Sequence, residues 1–329
     1  AASYLDIGAV CEAARRSGAD AVHPGYGFLS ENPDFPEACE KAGIIFIGPS
    51  PEVMKTFSDK VVAREIMEKV GLPFIPGIGN LADGEDGVRQ AQAFAESVGY
   101  PVMLKASAGG GGRGIRKITT PEELVAQIPN ARAEAQSAFN DGRLYMEKCI
   151  VNPRHVEVQI LADHHGTVMH LGTRDCSIQR RHQKLLEVAP ADLPLDVLEN
   201  ISETAVEAAR KSGYRNAGTV EFLVDSETNQ FWFMEVNTRL QVEHTVTEIL
   251  TGVDIVREQI QIADGAHLEI ASVRHHLLGK AIQVRINAED PKNNFMPEGG
   301  KVVAVYQSPG GPGIRLDGCL LYTSDAADE

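Results

Sequence analysis

The stretch "FMEVNTRLQVEH", Phe233 to His244, sets Glu235, Asn237, Arg239, Gln241 and Glu243 at every second position, with Val236, Leu240 and Val242 among the residues between. Successive side chains of an extended chain point to opposite sides, so a strand here would gather all five polar groups on one face. Such a face is either the solvated side of a half-buried antiparallel strand or the wall of an active site. Glu221 in "GTVEFLV" occupies a place in its apolar run comparable to that of Glu235 in "FMEVN". Pairing those two runs would bring the carboxylates together, with Asn237 as a neutral oxygen donor two residues on. Neighbouring carboxylates repel unless a cation lies between them, and hard oxygen donors suit magnesium.

Magnesium of this kind commonly serves a polyphosphate. "SAGGGGRGIRK" holds Gly109, Gly111 and Gly114 in the G-x-G-x-x-G spacing. A dinucleotide fingerprint must open a helix, whereas this one leads into the β-rich "GIRKI". The pattern predicts a hairpin flap whose glycine N–H groups can approach phosphate oxygens, with a plain surface hairpin as the alternative. Lys105, just before the glycines, and Lys148, in "MEKC", would bring positive charge. Arg180, Arg181, His182 and Lys184 fall within five residues of "DCSIQRRHQK", which is either a solvated loop or an anion site.

The elements that must position these groups follow from periodicity. Over 19–71, strand-like "ADAVH" and "IIFIG" alternate with helical patterns, among them one helix through "SPEVMKTFSDKVVAREIMEKVG", started by Ser50 and Pro51 and stopped by Gly71. This implies a helix-covered parallel sheet. "GIGNLADGED" reads as a turn-rich connection. Residues 77–148 read as an α+β subdomain: "PVMLKA", the glycine loop, "GIRKI", a helix from Thr120 and "RLYMEKC". Beyond it, "RHVEVQILAD", "TVMHLGTRDCSIQ", "AGTVEFLVD" and "QFWFMEVN", broken by one helix near 193–212, predict a mixed, largely antiparallel sheet. A further strand-rich region starts at "GKAIQVRINAED".

The 329 residues allow about two domains, and 43% hydrophobic residues can fill real cores. A net charge of −15 argues against a nucleic-acid partner. Five widely spaced cysteines without a C-x-x-C pair suggest neither a disulfide framework nor a zinc site, and fit a reducing, cytoplasmic compartment. No apolar run approaches the length of a membrane span, so no membrane role is expected. The start enters an α/β unit already in progress, and "LDGCLLYTSDAADE" drops the preceding pattern, so truncation at both ends is expected.

Taken together, "HPGYGFLSEN", "KASAGGGGRGIR", "RHVEVQ", "RDCSIQRRHQK", "EVNTRLQVEH" and "RINAEDP" closely resemble the biotin carboxylase family of the ATP-grasp superfamily, from near the first residue to about Asp317. The resemblance implies an α/β and α+β chain: a partial Rossmann-like N-terminal α/β domain over 1–56, an ATP-grasp domain over 57–270 with a lid near 77–148, the start of a β-rich C-terminal domain over 271–317, and a non-matching tail over 318–329. It implies ATP, magnesium or manganese, bicarbonate and biotin. The reaction would form carboxyphosphate and then carboxylate biotin on a carrier protein or domain, as the first half-reaction of an acyl-CoA carboxylase, with acetyl-CoA the first choice of acceptor. The implied partners are that carrier, a carboxyltransferase subunit and, at full length, a second copy of the chain.

By motif, Lys60, Lys105, Lys148, His155, Gln179, His182 and Leu223 resemble the family's nucleotide-binding residues, with Gly110, Gly111 and Gly112 in the lid and Glu147 and Ile150 flanking the adenine. Glu221, Glu235 and Asn237 match its metal ligands. Lys184, Gln241, Val242 and Arg285 match its bicarbonate pocket, with Glu243 as general base, Arg239 facing biotin and Tyr26 at the substrate. If Val242 contacts bicarbonate through its backbone, extended geometry should break near Arg239. Thr245 stands where the family usually has proline, which is expected to loosen the following turn. The remaining alternatives are another ATP-grasp ligase, including a carbamoyl-phosphate-forming relative, and a catalytically inert nucleotide-binding fragment. The "RDCSIQRRHQK" and "RLQVEH" motifs disfavour the ligases.

Overall fold

A six-stranded, wholly antiparallel sheet carries His155, Gln179, Lys184, Glu221, Leu223, Glu235 and Asn237. In this computed structural model the residues described are 4–58, 60–107, 114–181, 183–269, 279–299 and 311–318. The chain begins with α1 (Ile7–Ser17), β1 (Ala21–Val22), α2 (Asp34–Lys41), β2 (Ile45–Phe46), α3 (Pro51–Ser58) and α4 (Lys60–Val70). Strands β1 and β2 pair in parallel, as the alternating pattern requires. The helix expected over 50–71 is seen as α3 and α4, the described residues on either side of position 59, which lies outside them. The expected start and stop hold: the Ser50 hydroxyl accepts from the Val53 N–H at 3.4 Å, and Gly71 takes a positive φ of 87°.

The second unit comprises β3 (Gly77–Ile78), α5 (Gly84–Val98), β4 (Val102–Ala106), β5 (Ile115–Ile118), α6 (Pro121–Phe139) and β6 (Leu144–Lys148). Its sheet has the order β3-β6-β4-β5, all antiparallel. "GIGNLADGED" is therefore not merely a connection, because it contains β3 and the start of α5. Helix α6 begins with a reciprocal cap: Thr120 accepts from the Glu123 N–H at 3.2 Å, and Glu123 accepts from the Thr119 N–H at 2.8 Å. Leu104, Leu124, Leu144 and Met146 bury the interface between these helices and strands.

The central sheet follows from β7 (Arg154–Ala162), β8 (Val168–Arg180), β9 (Gln183–Ala189), α7 (Leu195–Lys211), β10 (Asn216–Val224), β11 (Phe231–Asn237), α8 (His244–Thr251), α9 (Ile255–Ala263) and β12 (Ala281–Val284), then β13 (Glu289–Asp290), a 3₁₀ turn (Pro291–Asn293) and β14 (Met296–Pro297). Its order is β11-β10-β7-β8-β9-β12. The mixed sheet expected from the sequence is thus purely antiparallel in its described strands. Val156, Val158, Val220 and Phe222 pack with Ile201, Ala205 and Ala208 of α7 on one side. In the basic run, Arg180 of β8 pairs with Gln183 of β9 at the tip of the β8–β9 hairpin, and Arg181 takes a positive φ of 52°. Helices α8 and α9 were not expected. No helix among the described residues is long and apolar enough to cross a membrane.

Candidate active site

Strands β4 and β5 flank the glycine run and pair from Val102↔Ile118 to Lys105↔Ile115, with the Ala106 N–H reaching the Gly114 carbonyl at 2.8 Å. The hairpin topology agrees with a flap and not with a dinucleotide fingerprint. Gly110, Gly111, Gly112 and His182 lie outside the described residues, as does the side chain of Lys60. Lys105 Nζ donates to Glu147 Oε2 and lies 5.7 Å from the Tyr145 ring centre. Lys148 is exposed at the end of β6, whereas Ile150 is buried just beyond it.

Register brings the paired acids together. Glu221 of β10 lies directly across from Glu235 of β11, and a bulge follows between Glu221 and Phe222. Asn237 Nδ2 donates to Glu221 Oε1 at 2.8 Å, Gln241 Nε2 donates to the same oxygen at 3.0 Å, and Lys184 Nζ reaches it at 2.9 Å. His155 Nε2 meets the other oxygen at 2.9 Å, while its Nδ1 lies 2.9 Å from Gln179 Nε2. Leu223 is paired with His155 across β10 and β7. Burial pushes the Glu221 carboxyl upward, but Lys184 and His155 reverse this and hold it far below the carboxylate range. Oxygen-bearing groups in register on adjacent strands fit a hard divalent cation.

Extended geometry ends at Asn237, near the expected break, and residues 238–243 form an irregular loop into α8. The five alternating polar groups therefore do not share one strand face. Glu235 and Asn237 remain on β11, while the loop sends Arg239 elsewhere and aims Gln241 and Glu243 inward. Val242, at the turn, is partly buried. Glu243 is 2% exposed; its Oε1 accepts from Lys184 Nζ at 2.7 Å and its Oε2 from Arg285 Nη2 at 2.8 Å. Lys184 also donates to Glu157 Oε2 at 2.6 Å, and three carboxylates outweigh the effect of burial to raise its ammonium well above the usual range. Thr245 does not leave a loose turn: its hydroxyl donates to Gln283 Oε1 at 2.9 Å, tying α8 to β12.

Four further residues were missed in the sequence, three that complete the cluster and one, Glu31, that holds Arg239. Arg174, wholly buried on β8, donates to Glu157, Gln159, Thr247, Thr219 and Gln241 at 2.5 to 3.2 Å. Glu157 pairs across the strands with Arg174; burial would raise its carboxyl, but Lys184 and Arg174 bring it to about 2. Strand alternation puts Glu157 on the face of His155 in "RHVEVQ", a signal that could have found it. Glu187 accepts from Arg285 Nε at 2.9 Å. Glu31, in the N-terminal "SEN" run, meets Arg239 Nε at 3.0 Å.

The loop bearing Tyr26 is fixed by a directional relay. The Gly25 N–H donates to His23 Nδ1 at 3.0 Å, so the ring proton sits on Nε2, which donates to Gln259 Oε1 at 3.1 Å; Gln259 Nε2 donates in turn to Asn216 Oδ1 at 3.0 Å. The basic tip is occupied differently. Arg180 pairs with Glu289 and stacks 4.3 Å from the Phe295 ring centre, and Arg181 Nη2 donates to the Asn294 carbonyl at 2.6 Å. Those two arginines hold the C-terminal segment and do not line the Lys184 cluster.

The chain matches three family profiles: "Biotin carboxylase, N-terminal domain" over residues 1–54, "Carbamoyl-phosphate synthase L chain, ATP binding domain" over 59–271 and "Biotin carboxylase C-terminal domain" over 283–326. It is 51% identical over 318 residues to a biotin carboxylase of a Nostoc species, covering 96% of this chain and 70% of that one. It is 50% identical over 326 residues to pyruvate carboxylase 1 of Caenorhabditis elegans, covering 98% of this chain but only 27% of that protein. Among solved structures, the biotin carboxylase domain dimer of Hydrogenobacter thermophilus 2-oxoglutarate carboxylase, in complex with MgADP, ADP and bicarbonate, superposes with a TM-score of 0.76 at 50% identity. The match covers 89% of this chain and 64% of that one.

Proposed function

The chain belongs to the biotin carboxylase family, and from that premise we propose that it carboxylates the ureido nitrogen of biotin, using ATP and bicarbonate through carboxyphosphate. The placing of Glu243 between Lys184 and Arg285 carries this reading. Bicarbonate is a weak nucleophile at neutral pH. Two cations can hold the anion while the adjoining carboxylate takes its proton as an oxygen attacks the γ-phosphorus and ADP departs. Gln241 and the Val242 backbone border the same pocket. Arg239, always charged, stabilises the enolate-like oxygen of biotin near Tyr26 and cannot act as the base.

The nucleotide is assigned to Lys60, Lys105, Lys148, His155, Gln179, His182 and Leu223, with Glu147 and Ile150 at the adenine and Gly110 to Gly112 over the phosphates. Glu221, Glu235 and Asn237 would hold magnesium or manganese, which neutralises charge on the phosphate oxygens. The bound MgADP and bicarbonate named for the Hydrogenobacter structure support these ligand classes. We assign residues 1–56 to an N-terminal domain, 57–270 to the ATP-grasp domain with its lid near 77–148, and 271–317 to the start of a C-terminal domain.

Biotin on a carrier protein or domain, a carboxyltransferase and a second copy of the chain are the proposed partners. We place the reaction first in an acyl-CoA carboxylase, supported by the 70% span of the relative named simply biotin carboxylase. A 2-oxo acid acceptor is the second reading, favoured by the likeness to pyruvate and 2-oxoglutarate carboxylases. Copurification with a carboxyltransferase and assay of its acceptor separate the two. The activity itself is tested by ATP hydrolysis: it should require bicarbonate and rise with free biotin, and hydrolysis indifferent to bicarbonate would overturn the reading.

A further inference from the structure

Glu187 stands one layer behind the proposed bicarbonate pocket. It lies on β9, is wholly buried, and faces Gln283 across β12. One carboxyl oxygen accepts from Arg285 Nε at 2.9 Å, while the other is buried without a hydrogen-bond partner among the described residues. The Arg285 backbone N–H is itself tied to the Leu185 carbonyl at 3.0 Å, two residues before Glu187. Nη2 of the same guanidinium reaches Glu243 at 2.8 Å. A guanidinium is a rigid plane, so fixing its Nε edge sets where its other nitrogens point.

We propose that Glu187 is the positioning residue for Arg285, holding the Nε edge of the guanidinium so that its far nitrogens face Glu243 and the anion. The proposal rests on the biotin carboxylase reading above. A buried acceptor with one unused oxygen is costly unless its geometry is needed, and here its one contact aims a group that touches substrate. Burial pushes the Glu187 carboxyl up to about 7, against the pull of Arg285 and helped by Glu243 and Glu157. Near neutral pH the group is therefore partly the neutral acid, and glutamine reproduces that form.

Two variants of the whole chain test this, Glu187→Met, which removes the acceptor while filling the space, and Glu187→Gln, which keeps it. Glu187→Met should raise KM for bicarbonate about tenfold and leave KM for ATP unchanged, and Glu187→Gln should restore KM for bicarbonate to within about twofold of wild type. A rise in both KM values together, or no rise in Glu187→Met, would overturn the proposal. A readout independent of turnover is hydrogen exchange of the Arg285 Nε–H by ¹⁵N NMR. It should be slow in the wild type and Glu187→Gln and fast in Glu187→Met; equal exchange in all three overturns the positioning role. Should wild-type ATP hydrolysis ignore bicarbonate while the exchange pattern holds, the functional reading falls and the positioning contact stands.

Discussion

Glu157 and Arg174 face each other across β7 and β8, with Nε 2.5 Å from the carboxylate and neither residue exposed to solvent. Arg174 has five N–H donors, and five acceptors surround it. A buried charge with every donor met can be kept; removing it leaves Glu157 with Lys184 but takes away one of its cations and strips the other four buried acceptors of that donor. Arg174→Met should therefore lower stability by about 3–5 kcal/mol at pH 7, read by urea unfolding. The double variant Arg174→Met/Glu157→Gln should recover part of that loss; no recovery would show that the two charges do not depend on each other.

Glu243→Gln keeps the size of the side chain and removes the proposed base. Bicarbonate-dependent ATP hydrolysis should fall by a factor of about 10² to 10⁴, the range for a lost general base. Binding of the nucleotide should persist, since Glu243 contacts Lys184 and Arg285 and not the residues assigned to ATP. Wild-type rates in this variant would remove Glu243 from the mechanism.

Glu31 is nearly half exposed, at 45% of its side chain, but the Arg239 it holds is only 15% exposed. A pair open to solvent on one side contributes modestly, about 1 kcal/mol or less. Glu31→Gln should accordingly raise KM for free biotin by about fivefold at most, with KM for bicarbonate unchanged. The check is biotin-stimulated ATP hydrolysis at fixed bicarbonate.

Asp163 links the β7–β8 turn to the segment after α9. Its carboxylate accepts from the N–H groups of His165, Thr167 and Leu268 at 2.8 to 3.1 Å. Burial would raise this carboxyl, but the backbone donors outweigh it and bring it to about 2. A lowered folded value means stability that is present above the unfolded value near 3.8 and lost as pH falls through about 2. The amount is about 2 kcal/mol. Asp163→Asn should remove that acid-side slope from a plot of unfolding free energy against pH.

Elements rich in apolar and β-branched residues were readable from sequence: β7 and β10, which are buried almost throughout, β11, and the hairpin on either side of the glycines, whose first strand alternates. The Glu221 and Glu235 pairing was legible because both acids sit at like places in consecutive apolar strands. Helix α5 was hidden because its first turn lies in "ADGED", a turn-like run, and Asp83 makes no side-chain cap there. Helix α8 was hidden by Thr245, Val246, Thr247 and Ile249, β-branched residues that favour strands, and by its eight-residue length. The Arg174 contact was out of reach for a different reason: it depends on a register that shifts between Val158 and Ile160.

The β8–β9 hairpin has a mechanical consequence. Its tip is gripped by the C-terminal segment through Arg180 on Glu289 and Phe295 and through Arg181 on Asn294, and Lys184 lies three residues past Arg181 on the returning strand. The β9 strand is clamped again by β12, which leads directly into Arg285. Both cations that flank Glu243 are therefore carried by one paired mount, β9 against β12, so the gap between them is set by the register of two strands and not by a loop.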